Sequence, residues 1–260
     1  MTLYLVGPSA EQLITTANQE LKLLHHWCVD NRLTINIDKT FYMLFTNKKI
    51  YHLPELSINN CKINRTDKQK FLGVTFDEPM KFICHINNLT LKISRHIALL
   101  YQIKDFMPPY VLKCIYYAHI YPLLTYCNPI WCTTYSTHLL PLKLQLKKIV
   151  RIITNSSYLA HSQPLFKQTQ ILKLEDISKM AISTFMYVNK NNLQNLLPTH
   201  NYLTRYRDHL RPPFHRHTQT SHSITYLGPV KWNTIPPQIQ NSPSLNVFKN
   251  KLKKHILSTY

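Results

Sequence analysis

The sequence predicts an α+β chain, with short strands confined to residues 1–80 and helices over most of the remainder. Three observations carry this expectation. A capping box opens a run of apolar residues at helical spacing, two-residue alternation and turn signals follow between residues 33 and 76, and helical spacing returns after Pro79.

Taken in order, residues 2–6 (TLYLV) read as a short strand that ends at the turn signal Gly7-Pro8. Ser9 and Gln12 stand at capping-box spacing, and Leu13, Ala17, Leu21, Leu24 and Cys28 share one face, so a helix of about five turns is predicted, with Asn31 as its stop. Leu33, Ile35 and Ile37 alternate with polar residues before FYMLF at 41–45, which predicts strands. Asn59-Asn60, between two apolar segments at 56–58 and 61–63, predicts a hairpin turn, because Asn tolerates positive φ. FLGVTF at 71–76 reads as one more strand, in which Gly73 permits a bulge or a close backbone approach. Beyond Pro79, Phe82, Ile86, Leu89, Ile93, Ile97 and Leu100 mark one helix, Pro108-Pro109 opens another, and Pro122 opens a third. Leu142, Leu146, Ile149 and Ile153 line one face of a helix over 139–153, and 175–190 gives a further one. Residues 198–243 read as irregular because they are rich in Pro, His and Arg, and 242–257 closes with a capped basic helix.

Composition narrows the function. The chain has 260 residues, 31 Lys+Arg against 12 Asp+Glu and a formal net charge of +19, with 44% hydrophobic residues. That apolar fraction supports a core and excludes a disordered basic tail. Gly7, Gly73 and Gly228 are its three glycines and stand far apart, so no glycine-rich phosphate loop can be written. Residues 1–105 hold 13 cations and 9 acids, whereas 106–260 hold 18 cations and only Glu175, Asp176 and Asp208. A stretch so short of internal counter-charge points to an external polyanion such as nucleic acid, although richness in Lys, Asn, Ile and Tyr also follows from an AT-rich gene. Protonation of its 14 histidines predicts tighter anion binding on mild acidification. Of six cysteines without a C-x-x-C pair, most read as buried thiols in a reducing compartment. With no signal peptide and no apolar run of ~18 residues, an intracellular protein is predicted, nuclear or cytoplasmic, not secreted and without a membrane partner.

Residues 27–45, WCVDNRLTINIDKTFYMLF, resemble the segment W-(x)3-N-x-L-x-(hydrophobic)-N-x-x-K-T that follows the catalytic centre in reverse transcriptases of non-LTR retrotransposons, especially the jockey-like group. FLGVTFD at 71–77 is similar to a strand of that family. TRYRDHLRPPFHRH, SITYLGPVKWNTIP and SPSLNVFKNKLKKHIL resemble its carboxy-terminal signature. The resemblance implies the later part of a polymerase palm over 1–80, a helical thumb-like region over 81–155 and a basic carboxy-terminal region over 156–260, with template–primer RNA and DNA as partners. The family's palm holds two Mg²⁺ ions about 4 Å apart on aspartates that include an F/Y-A-D-D turn. No Asp-Asp pair occurs in this sequence, and Met1 to Val6 resembles the strand leaving that turn. The resemblance therefore implies a chain that starts at an internal methionine, retains no metal site or cofactor, is inactive alone and has the upstream palm and fingers of the same polyprotein as a partner.

Lys39 matches a palm lysine near the incoming nucleotide's phosphates, a general acid or a phosphate contact; a solvated lysine is the plainer alternative. Gly73 is the candidate for close approach to the primer. Lys143, Lys147, Lys148 and Arg151 would line a helix flank at phosphate-contacting separation, with a solvated charged face as the alternative. Arg205, Arg207, Arg211 and Arg216, interleaved with Tyr206 and Phe214, give the mixture of cations and rings that single strands favour. The histidines there lack a cysteine or carboxylate partner at ligand spacing, so no metal is predicted. Trp232 reads as a packing anchor. The competing reading is a non-enzymatic basic nucleic-acid-binding module, or a degenerate retroelement product.

Overall fold

The structure, a computed structural model, describes residues 1–46, 52–190, 209–216 and 218–260, which divide into two units, Met1–Lys81 and Phe82–Tyr260. It is α+β in the predicted order. In the first unit, helix α1 (Ala10–Asp30) begins as the capping box requires, with the Ser9 hydroxyl accepting the Gln12 N–H at 3.3 Å. It ends at Asn31, whose side chain donates to the Trp27 carbonyl at 2.8 Å. Arg32 then turns into the left-handed region (φ 56°), and the N–H groups of Arg32 and Leu33 bond Val29 and Cys28 carbonyls at 2.9 and 2.7 Å, a Schellman close without its usual glycine. Ile14, Ala17 and Leu21 of α1 pack with Leu56, Ile58 and Ile63 into the core of this unit.

Strand β1 (Phe41–Tyr42) pairs in parallel with β4 (Asn64–Arg65), and β2 (Ser57–Ile58) pairs with β3 (Cys61–Lys62) across Asn59 and Asn60, both at positive φ as predicted. β5 (Lys68–Phe71) and β6 (Val74–Asp77) form a second antiparallel hairpin.

The second unit is helical. α2 (Ile83–Ile103) buries Ile86, Leu89, Ile93 and Leu100. α3 (Pro109–Ile115) starts on Pro108-Pro109 and runs into a π turn, Tyr116–Ile120, where the Tyr121 N–H reaches back to the Tyr116 carbonyl just before Pro122, which has no N–H to offer. α4 (Tyr121–Thr125), α5 (Asn128–Trp131), α6 (Leu140–Ile153), α7 (Ser162–Thr169) and α8 (Leu174–Val188) follow. α9 (Thr218–Ser221), α10 (Ile224–Trp232), α11 (Pro237–Gln240) and α12 (Leu245–Ser258) complete the described order. α6 packs on α2, and α8 is flanked by α4, α5, α10 and α12. The α2–α6 seam carries a polar lock: Gln145 donates to the Thr90 carbonyl at 2.8 Å and to the Ser94 hydroxyl at 2.6 Å.

Five expectations are corrected. Residues 2–6 form no strand, because no described strand lies beside them to supply ladder bonds. Residues 33–37 are not a strand either: Asn36 accepts the Lys39 N–H at 3.1 Å and caps a single 3₁₀ turn, Ile37–Lys39. FLGVTF is not one strand but a strand end, a two-residue turn and a second strand, since Leu72 (φ 46°) and Gly73 (φ 85°) both sit at positive φ. Of the stretch 198–243 expected to be irregular, 198–208 and 217 lie outside the described residues, and α9, α10 and α11 fall within 218–240; Pro237 occupies a first helical turn, where its missing N–H costs nothing, and Gly228-Pro229 is tolerated inside α10 because that helix packs on α8. Of the six cysteines only Cys28 and Cys132 are buried; Cys61 and Cys114 are exposed.

Candidate nucleic-acid interface

The motif Asn36-x-x-Lys39-Thr40 builds one rigid turn. Besides the Asn36 cap, the Thr40 hydroxyl donates to the Asn36 carbonyl at 2.7 Å, and the Lys39 side chain is left exposed. Thirty residues on, the β5–β6 hairpin presents Phe71, Leu72 and Gly73 at its tip. Leu72 is 72% exposed and held in the left-handed region, a conformation that costs a branched residue about 1 kcal/mol. The base of that hairpin is braced by Arg65, which bonds Glu78 through Nε and Nη2 at 2.8 and 3.0 Å.

On α6 the four predicted cations separate into two pairs. Lys143 bonds Glu175 at 2.7 Å. Burial pushes the Glu175 carboxyl up, but the Lys143 bond and a backbone N–H more than offset it, so the group lies below its ordinary value. Arg151 donates to the Ala160 carbonyl at 2.9 Å and lies 5.9 Å from the Tyr158 ring centroid. Lys147 and Lys148 are exposed, on the face opposite Leu142, Leu146 and Ile149. Arg211 and Arg216 are exposed in the segment before α9. That segment is anchored by Asn233, which accepts from the Leu210 N–H at 3.0 Å and donates to its carbonyl at 2.8 Å. Arg205 and Arg207 lie outside the described residues, as do Tyr206 and His217. His215 packs edge-on against Tyr226, and His222 contacts the Thr133 carbonyl at 2.6 Å. Trp232 is buried and stacks with Phe248, its ring centroid at 5.9 Å. Among the described residues no group of three His, Cys, Asp or Glu side chains is placed to hold a metal ion, and no helix is long and apolar enough to cross a membrane.

The helical unit contains 21 Lys+Arg against Asp105, Glu175, Asp176 and Asp208. Glu175 is bonded to Lys143, and Asp176 accepts the Tyr260 hydroxyl at 2.5 Å. Four acids leave most of the positive charge of this unit without an internal counter-charge. Sequence reasoning passed over a second group of cations, Lys167, Lys173 and Lys253, because they are far apart in the chain; the lysine-rich run in α12 was the one local signal. Burial shapes the histidines too: His85 and His96 are held below the ordinary imidazole value, His85 chiefly by burial and His96 by burial and then by His119, whose ring stacks on it at 5.6 Å. Mild acidification therefore charges these two less readily than an ordinary imidazole.

No protein-family profile matches the chain, and no solved structure matches it. Two curated relatives do. The RNA-directed DNA polymerase from mobile element jockey of Drosophila melanogaster is 23% identical over 192 residues, covering 71% of this chain and 21% of the relative. The enzyme of the same description from Drosophila funebris is 25% identical over 170 residues, covering 62% and 18%. The chain thus spans about a fifth of the length of these relatives. Matches of this extent, on a sequence whose own motifs follow the same order, show that it carries a jockey-like reverse-transcriptase region.

Proposed function

We propose that these residues form the part of a non-LTR reverse transcriptase that grips template–primer nucleic acid: the end of a palm over 1–80, a thumb-like helical region over 81–155 and a basic carboxy-terminal region over 156–260. The observation that carries this reading is the outward face of α6. Lys147 and Lys148 stand exposed there, in a helical unit whose Glu175 and Asp176 are already bonded to other side chains. Such a surface gains by releasing counterions from a phosphate backbone. A second support is the hairpin tip: Leu72 is exposed and strained although it fills no core, which is the pattern of a residue kept for contact rather than packing. On this reading the Phe71–Gly73 tip meets the primer end, and Lys39 faces phosphate.

The residues do not fit the Mg²⁺ ions that reverse transcription uses. The chain has no Asp-Asp pair, and Asp77 is buried at the foot of its hairpin. Binding without polymerisation is therefore the function assigned to these 260 residues.

Replacing Lys147 and Lys148 by Gln is expected to flatten the dependence of log affinity on log salt by about 2, roughly one for each phosphate no longer neutralised. Fluorescence titrations of a primer–template hybrid at several salt concentrations check this, and an unchanged slope removes α6 from the interface. The chain is also expected to give no primer extension with Mg²⁺ and deoxynucleotides; measurable extension by the purified protein would sink the separation of grip from chemistry.

A further inference from the structure

Three lysines distant in sequence converge on two tyrosines at one corner of the helical unit. Lys253 of α12 donates to the Tyr117 hydroxyl at 3.4 Å and lies 5.3 Å from the centre of that ring. The Tyr117 hydroxyl in turn reaches the carbonyl of Gln170 at 3.4 Å, in the left-handed turn that joins α7 to α8 (φ 54°). Three residues later the Lys173 ammonium sits 4.3 Å from the centre of the Tyr260 ring, and Lys167 of α7 donates to the Tyr260 backbone carbonyl at 3.2 Å. Tyr260 is fixed in place, because its hydroxyl accepts the Lys173 N–H at 2.8 Å while donating to Asp176 at 2.5 Å.

The charges here do not balance: three ammonium groups share one nearby carboxylate, Asp176, which keeps its charge while accepting the Tyr260 hydroxyl, and Glu175 on the same turn is bonded to Lys143. Lys253 is half-buried, and among the described residues its polar partner is a phenol rather than a carboxylate. Burial alone pulls its ammonium below the ordinary lysine value, the mark of a cation held partly out of water without a counter-charge. An anion placed at this corner would restore what the protein withholds. Ammonium groups spread over three segments suit a chain of phosphates better than a single small anion, and the half-buried Tyr117 and Tyr260 rings offer flat surfaces beside them.

We propose that Lys167, Lys173 and Lys253 hold successive phosphates of a nucleic-acid strand as it passes over the corner formed by Tyr117 and Tyr260. The inference rests on the nucleic-acid reading given above and adds a second contact region, remote in sequence from Lys147 and Lys148. The shared ligand chemistry is the phosphodiester backbone, which a single strand and a duplex both supply.

The test uses the whole chain and two labelled probes of about 20 nucleotides, an oligouridylate and an RNA–DNA hybrid, each titrated from low to moderate salt. The variant carrying Lys167→Gln, Lys173→Gln and Lys253→Gln is compared with one carrying Arg at the same positions, after thermal melts have shown both to be folded. The Gln variant is expected to lose about 2 to 3 from the salt slope, while the Arg variant keeps the slope of the unaltered protein. A loss seen with one probe alone supports the site and identifies the strand form it takes. An unchanged slope in the Gln variant, with binding otherwise intact, overturns this inference and leaves the α6 interface standing. Equal losses in the Gln and Arg variants also overturn it, because the lysines then serve only to seat Tyr260. If the unaltered chain binds neither probe, the nucleic-acid reading itself fails and this site falls with it.

Discussion

Raising the pH from 8 to 11 is expected to remove at least about 3 kcal/mol of folding stability, at about 1.4 kcal/mol per pH unit for each group that keeps its proton only when folded. Two buried acids produce most of this. Cys132 is pushed from 9.0 up to about 12 by burial, against smaller opposing effects from its bonds to Ser178 and Asn128. Tyr116 is driven well above 10.0, first by burial and then by the neighbouring tyrosines 117, 121 and 260. In both cases the folded value lies above the unfolded one for a group that is neutral when protonated. The stabilisation is therefore complete below the unfolded value and is lost as pH rises: from about 9 for Cys132, and from about 10 for Tyr116. At pH 11 the thiol has cost about two units' worth, and the phenol adds to the loss in the same direction. Tyr260, raised by burial and by its bond to Asp176, adds a share reduced by its partial exposure, and Lys253, lowered by burial, offsets part of that share. Against a typical total of about 5–15 kcal/mol, this loss brings the fold near its limit. Urea melts at pH 8, 9, 10 and 11 measure it. Cys132→Ala lowers stability at pH 8 through the cavity it leaves, yet is expected to flatten the curve between pH 9 and 10. A native curve already flat in that interval would sink the assignment to Cys132.

Tyr116 and Cys132 also show why parts of this fold are legible in sequence and others are not. Local chemistry is readable wherever a side chain closes its own backbone. Ser9 caps α1, Asn31 ends it, Asn59-Asn60 turns the first hairpin, and Pro108-Pro109 opens α3. Errors arise where tertiary partners decide. Residues 2–6 have strand composition but no described strand beside them, and α10 has the composition of a loop but is held by packing on α8. The Phe71–Asp77 motif gives the right residues and the wrong geometry, because alternation does not reveal that Leu72 accepts positive φ beside Gly73. The candidate site divides in the same way. The α6 cations are visible from helical spacing, but the pairing of Lys143 with Glu175 depends on α8 packing beside α6, which no local pattern records. The convergence of Lys167, Lys173 and Lys253 needs three segments folded together. The resemblance motifs mix both kinds of residue: Asn31, Asn36 and Thr40 are explained by turn chemistry, whereas Lys39 and Leu72 are exposed, and core packing does not account for them.

Replacing Gly228 by Leu is expected to cost about 3 kcal/mol, the upper end of the usual range for overpacking. Gly228 lies inside α10, where a glycine ordinarily weakens a helix by about 1 kcal/mol relative to alanine. Propensity alone would therefore make even Gly228→Ala stabilising. Packing reverses the sign. A Cβ at this position would lie 2.5 Å from the Met186 Sδ of α8, the flexible end of a side chain that is only 2% exposed, so the thioether must repack within a buried interior. A leucine at this position, larger than that repacking can absorb, is expected to push α10 from α8 and to disturb Trp232, one turn further along, which stacks on Phe248 of α12. The effect is expected to reach the proposed interface as well. Asn233 at the end of α10 holds Leu210 through two hydrogen bonds, and the exposed Arg211 and Arg216 follow that anchor. Displacing α10 should thus weaken binding of single strands even at salt concentrations where the Lys147–Lys148 contribution is unchanged. A double-mutant cycle separates clash from propensity. Met186→Ala alone opens a cavity worth about 2–5 kcal/mol, but combined with Gly228→Ala it gives the new Cβ room, so the pair should be less damaging than the sum by about 1 kcal/mol or more. Chemical denaturation of the four proteins supplies the numbers. Simple additivity, or a Gly228→Ala variant more stable than the parent, would show that α10 does not rest on Met186 and that its helical form owes nothing to this close approach.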